Sequence, residues 1–215
     1  MHIPDGFLSP QTYLPLYGIA VASWAYGLRR SKESLAQEAL PLLSVLTAVC
    51  FVLSMVAVPL PGGTTAHATG VAVLALLFGV WNGFIAFSVV LFLQAVLFGD
   101  GGVTALPVNA LAMGLVGGTA AVLVFKLLRR FNEGVALFMA GWLSITLAAL
   151  LVAVALGLQP WLAHDQAGNS LFFPFGLQVT LPALLIPHLL IGIGEGLLTV
   201  AVYRFSRRYL GNQET

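Results

Sequence analysis

The stretch GVAVLALLFGVWNGFIAFSVVLFLQAVLF, residues 70–98, decides how this chain is threaded. It contains no charged residue and is too long for one membrane span, which needs about 20 residues. Gly79 and Gly83 flank Val80-Trp81-Asn82, and the run is read as broken there. A short third helix then covers 70–79 and a fourth covers 81–98. Working outward, the remaining apolar runs are 13–28, 40–60, 106–128, 135–158 and 178–203, which makes about seven transmembrane helices. Threading seven spans puts Arg29, Arg30, Lys32, Lys126, Arg129, Arg130, Arg204, Arg207 and Arg208 on one side, and these are all nine Lys and Arg of the chain. By the positive-inside rule that side is the cytoplasm. The N-terminus is then outside and the C-terminus cytoplasmic. Were 70–98 a single helix, the later basic clusters would face outward.

Composition agrees with a bilayer-embedded chain. Of 215 residues, 59% are hydrophobic and 8% charged, with a mean hydropathy of +0.97; soluble domains carry about 25% charged residues. The fold class expected is all-α, a polytopic membrane bundle forming a single domain over 1–215. Alternating polarity is absent, which excludes a membrane β-barrel. The net charge of +1 gives no sign of a nucleic-acid partner. A lone cysteine, Cys50, excludes a disulfide framework and a thiolate metal cluster. No linker, low-complexity tract or long repeat divides the chain.

The opening residues Met1-His2-Ile3-Pro4-Asp5-Gly6-Phe7-Leu8 have no basic start and do not read as a signal peptide. Taken alone they could be a plain extracytoplasmic start with a turn at Pro4-Asp5-Gly6. They also offer unusual nitrogen chemistry. The Met1 α-amine, the Met1-His2 amide and the His2 imidazole can wrap three nitrogens around one ion in fused chelate rings. A fourth nitrogen completes a square plane, which suits Ni(II) or Cu(II). His67, in Thr64-Thr65-Ala66-His67-Ala68-Thr69-Gly70, falls on the same outer side; read alone it is a loop histidine as readily as a ligand. The N-terminal loop 1–9 and His67 form the candidate site.

Polar residues inside the spans are functional candidates by default. They are Asn82, Gln94, Asn109, His188 and Glu195. His188 and Glu195 are seven apart and share a helix face. They either carry protons or an ion, or tie helices together and couple to a partner; neither is expected near the outer mouth, so Glu195→Gln should leave binding intact. His188 could also support the binding loop. His164-Asp165, in the outer loop 159–176, is read as solvated.

These residues carry a resemblance. The opening octapeptide, the block from Gly62 to Gly70, Leu93-Gln94-Ala95-Val96-Leu97-Phe98-Gly99-Asp100-Gly101-Gly102-Val103-Thr104-Ala105, Asn109, and Glu195-Gly196-Leu197-Leu198-Thr199 together resemble the substrate-specific membrane component of nickel and cobalt energy-coupling factor transporters, the CbiM/NikM family. The resemblance implies a four-nitrogen metal site from the Met1 amine, the His2 amide and imidazole, and His67. Thr65, Asn109, His188 and Glu195 are candidates for supporting or coupling roles. It implies Ni(II) or Co(II) as transported substrate, with no organic cofactor. The Gly-Gly-Thr and Gly-Asp-Gly-Gly stretches look nearer the nickel branch; the cobalt branch would serve corrinoid (cobalamin) synthesis.

The implied partners are a transmembrane coupling subunit and cytoplasmic ATPase subunits, since no Gly-x-x-x-x-Gly-Lys-Ser/Thr phosphate loop occurs in this chain. Some relatives carry a further C-terminal membrane region; a separate small accessory subunit could supply it here. The location implied is the cytoplasmic (inner) membrane of a bacterium or archaeon. A different class of reading is a stand-alone secondary permease with His188 and Glu195 as a proton relay. A membrane metalloenzyme is disfavoured, because neither His-Glu-x-x-His nor Gly-x-Ser-x-Gly is present.

Overall fold

The computed structural model describes residues 2–35, 37–60 and 64–211, with the side chains of Leu60, Thr64, Thr65 and residues 209–211 excepted. Helix α1 runs Pro10–Ser34, its proline at the first position, where a missing N–H does no harm. A short 3₁₀ turn leads into α2, Leu40–Met55. The apolar run expected to stay helical to residue 60 leaves the helix at Met55. Beyond it, β1 (Val58–Leu60) pairs antiparallel with β2 (Thr64–Ala66), Val58 opposite Ala66. Pro59 and Pro61 account for this, because the residue before a proline is pushed out of the helical region.

Helix α3, Val71–Phe78, lies between Gly70 (φ +70°) and Gly79 (φ +86°). Gly79 turns the chain directly into α4, Val80–Phe98, whose last turn is π-helical from Gln94. Only glycine takes that φ without steric cost. Helix α5, Leu106–Leu128, widens into a π stretch over Ala110–Gly117. Helix α6, Glu133–Gly157, starts under Asn132, whose side chain accepts the Val135 N–H at 3.0 Å. Helix α7, Leu177–Gly211, extends well past the apolar run that defines it and carries Arg204, Arg207 and Arg208 in its last turns.

Five segments are long and apolar enough to cross a membrane: Gln37–Met55, Val80–Phe98, Leu106–Leu128, Glu133–Leu162 and Leu177–Arg208. Two of the seven expected spans fall outside this set: α1, which is 25 residues long but carries Arg29, Arg30, Lys32 and Glu33 near its end, and α3, for which length is the reason. At eight residues it rises about 12 Å, too little to span a hydrocarbon core of about 30 Å. It is instead enclosed, with Val71 to Ala75 all buried. The protein is thus a multi-pass helical membrane protein with a short helix at its centre.

Two ends are distinguished by what they gather. At one, residues 2–9 meet the 99–105 turn, the 67–70 loop and the 159–173 segment. At the other, Asn82 faces Ser34 and Arg204 lies against Gly134.

Candidate metal centre

Residues 2–9 have no helix or strand, yet His2, Ile3, Leu8 and Ser9 are buried. A buried backbone must find partners for its N–H and C=O groups, and here side chains of distant helices provide them. Asn109, at the start of α5, grips Ile3 from both sides. Its Oδ1 accepts the Ile3 N–H at 3.0 Å and its Nδ2 donates to the Ile3 carbonyl at 3.2 Å. The same carbonyl accepts the Gly102 N–H at 2.9 Å. The Asp5 carboxylate accepts the N–H groups of Val103 (3.1 Å) and Thr104 (2.8 Å), and the Thr104 hydroxyl. Gln159 accepts the Ser9 N–H at 2.9 Å, and Phe173 donates to the Phe7 carbonyl at 3.3 Å. Close approach at the 99–105 turn depends on Gly102, where an added Cβ would lie 2.4 Å from the Asp5 nitrogen.

This docking carries His2 onto His67. The ring centroids are 4.4 Å apart with an interplanar angle of 46°, and the residues are 4% and 2% exposed. His67 Nδ1 is 3.1 Å from the Ala68 carbonyl. That contact places the proton on Nδ1, so Nε2 keeps its lone pair; it is buried and, among the described residues, unpartnered. Among the described residues, both His2 ring nitrogens also lack a hydrogen bond. Asp100 Oδ2 is 3.2 Å from His2 Nδ1, close enough for an ion pair but out of line for a hydrogen bond. Burial holds the His67 imidazole well below the usual histidine range, with His2 and, more weakly, His188 adding to the effect. His2 is lowered too, by burial, which Asp100 only partly opposes. Two neutral imidazoles with bare lone pairs are the protonation state a metal ion requires.

Among the described residues, no group of three or more His, Cys, Asp and Glu side chains could hold a metal ion. A complete donor set here would therefore need backbone nitrogen. The His2 amide is available for that; Met1 lies outside the described residues, as does the Thr65 side chain.

The other sequence candidates fall in different places. Glu195 lies against the His67 loop rather than apart from it. Its carboxylate accepts the Thr69 N–H (2.8 Å), the Thr69 hydroxyl (2.9 Å) and the Gly70 N–H (2.7 Å). His188 is buried, its Nδ1 at 2.7 Å from the Leu184 carbonyl of its own helix and its Nε2 unpartnered among the described residues. Gln94 ties α4 to α2 by donating to Ser54 Oγ at 2.8 Å. Asn82 faces the opposite end. Asp165 is exposed and closes its own loop by accepting from Ala167 and Asn169. Asp100, Asp5 and Gln159 were not singled out from sequence. For Asp5 and Asp100 the signal available was their place within the blocks that carry the family resemblance.

A helical membrane bundle closed at one end by its own leading segment, over two facing buried imidazoles, defines a membrane protein with an enclosed nitrogen-donor site. Residues 2–210 match the family model "CbiM: Cobalt uptake substrate-specific transmembrane region", and the chain belongs to that family. It is 40% identical over 212 residues to the probable fused nickel transport protein LarMN of Lactiplantibacillus plantarum, covering 97% of this chain and 65% of the relative. It is 34% identical to the cobalt transport protein CbiM of Anoxybacillus flavithermus, covering 97% and 83%. The chain thus spans just under two thirds of the fused relative's length. A crystal structure of a truncated transition metal transporter superposes with a TM-score of 0.93 at 36% identity, covering 97% of this chain and 99% of that one.

Proposed function

We propose that this chain is the substrate-capture subunit of an ATP-driven importer of Ni(II) or Co(II). The observation that carries the reading is the bare His67 Nε2, buried against the His2 ring beneath the docked leading segment. With Met1 as first residue, its amine and the His2 amide close a five-membered chelate ring, and the His2 amide and Nδ1 close a six-membered one. His67 Nε2 completes the plane. Such a field favours Ni(II) over Co(II). Asp100 Oδ2, 3.2 Å from the chelating Nδ1, would place negative charge beside the bound cation. The basic ends of α1, α5 and α7 would face the cytoplasm, in the inner membrane of a bacterium or archaeon, with a coupling membrane subunit and separate ATPases as partners. The permease reading is less well supported, because Glu195 holds the His67 loop with both carboxylate oxygens.

The test is metal content and absorption of purified protein offered equimolar Ni(II), Co(II) and Zn(II). One Ni(II) with a planar ligand-field band is expected, lost in His67→Ala and in a chain extended by one residue before Met1. Unchanged nickel binding by the extended chain would sink the amine chelate. Co(II) taken in preference would move the substrate to cobalt. Zinc alone, or no metal at all, would refute the capture role.

A further inference from the structure

Charge is divided between the two ends of the bundle. All nine Lys and Arg fall in the groups 29–32, 126–130 and 204–208. These groups close or follow α1, α5 and α7 at the end where Asn82 meets Ser34 and Arg204 meets Gly134. The end that holds His2 and His67 carries Asp5, Asp100 and Asp165 instead. A surface of one sign raises the rate at which ions of the opposite sign arrive. Two of these carboxylates are engaged elsewhere. Asp5 accepts from Val103 and Thr104, and Asp165 closes its own loop onto Ala167 and Asn169. Glu195, beneath the His67 loop, is taken up by Thr69 and Gly70.

Asp100 reaches the buried donors. Its Oδ2 lies 3.2 Å from His2 Nδ1, and the Asp100 and His2 side chains are 26% and 1% exposed. One carboxylate thus connects the water outside to an imidazole that, among the described residues, has no hydrogen-bond partner. The turn fixes it there. The Asp100 N–H donates to the Gln94 carbonyl at 3.1 Å, and the Gly102 N–H donates to the Ile3 carbonyl at 2.9 Å. Between them, a Cβ added at Gly101 would lie 3.3 Å from the His2 Cβ. The separation suits a shared ion. With bonds of about 2.1 Å to oxygen and to nitrogen, an ion touching both atoms makes an angle of about 100° between them. That is an ordinary angle between neighbouring ligands. The ion then sits about 40° off the N–O line, in keeping with an oxygen too far out of line to hydrogen-bond Nδ1.

Given the capture role proposed above, we infer that Asp100 is the first contact of the entering ion. The hydrated divalent cation exchanges one water for Asp100 Oδ2 at the rim. His2 Nδ1 displaces a second water, so that both atoms hold the ion at once. The remaining nitrogens then complete the plane, and Asp100, which has no place in it, lets go. The ion leaves by the same contact, so losing the carboxylate slows entry without speeding exit. A residue that served only as a partner of the bound ion would show the opposite pattern, because most changes at a binding surface act on release.

Stopped-flow mixing of the purified full chain with Ni(II) alone tests this, with free ion followed by an indicator dye and release by a chelator chase. Asp100→Asn should bind nickel about tenfold more slowly, at the low end of the roughly 10–10³-fold that charged clefts contribute. Its release should be no faster than that of wild type. Asp100→Ser should match it, and Asp100→Glu should recover most of the lost rate. Asp165→Asn removes the same charge from an exposed loop at this end and should slow binding by less than about twofold, since salt screens an exposed charge. Melting temperature and size-exclusion profile report that each variant folds. Association by Asp100→Asn or Asp100→Ser as fast as wild type overturns the proposal. So does unchanged association with faster release. So does equal slowing by Asp165→Asn, which would leave a diffuse field and no first contact. Wild-type protein that takes up no nickel refutes the capture role itself, and this inference with it.

Discussion

Replacing Asn109 by Ala removes the bidentate grip on Ile3 without touching any residue proposed to hold the ion. The Ile3 N–H loses its only partner among the described residues, while the Ile3 carbonyl retains the Gly102 N–H. A buried donor left unsatisfied costs about 1–3 kcal/mol, and the second lost bond adds about 1 kcal/mol. Docking of residues 2–9 should therefore weaken by about 2–4 kcal/mol. At about 1.4 kcal/mol per decade, the apparent nickel affinity should fall by about 30-fold to several hundred-fold, as far as the undocked state becomes populated. Isothermal titration against a competing chelator measures the affinity, and hydrogen exchange at the Ile3 amide reports the opening directly. Nickel affinity within threefold of wild type, with the Ile3 amide still protected, would refute the claim that Asn109 seats the metal loop.

Three further outcomes are expected. Gly102→Ala should undock the leading segment, because its Cβ would lie 2.4 Å from the Asp5 nitrogen; limited proteolysis within residues 2–9 should accelerate, and unchanged cleavage would count against the packing described. Glu195→Gln should weaken nickel binding rather than spare it, since an amide nitrogen would be turned toward donors on Thr69 or Gly70; binding equal to wild type would restore a role remote from the site. Acid should loosen the centre. Burial lowers His2 and His67 below the free value near 6.5, so their contribution to docking is complete above that pH and declines as the pH falls through it. Nickel affinity followed from pH 8 to pH 5 should drop most steeply below about 6.5, and a flat profile would contradict neutral imidazole ligands.

Several features of this molecule could be read from residues alone because they depend on local composition. Uncharged runs near 20 residues define membrane helices wherever they occur, and the glycines around Asn82 interrupt a run with no other punctuation; the chain turns at Gly79. The clustering of all Lys and Arg into three groups is a property of the sequence whatever the packing. The pairing of His2 with His67 came from nitrogen chemistry and from the family resemblance, and periodicity said nothing of it. What residues could not reveal depends on which surfaces meet. The two prolines that end α2 are visible in the sequence, but the apolar run conceals their effect.

Asn109 was one intramembrane amide among several, and only its position 3 Å from the Ile3 backbone distinguishes it from Gln94, which joins two helices. Glu195 is 128 residues from His67 in the chain and was expected away from the mouth. Folding brings α7 against the Gly70 turn, where two backbone N–H groups need an acceptor. Local sequence determined the helices, their breaks and their charge asymmetry, because those follow from the free energy of each segment in lipid. Tertiary structure alone decided which side chains satisfy the irregular leading segment, because hydrogen bonds between residues about a hundred or more apart leave no periodic trace.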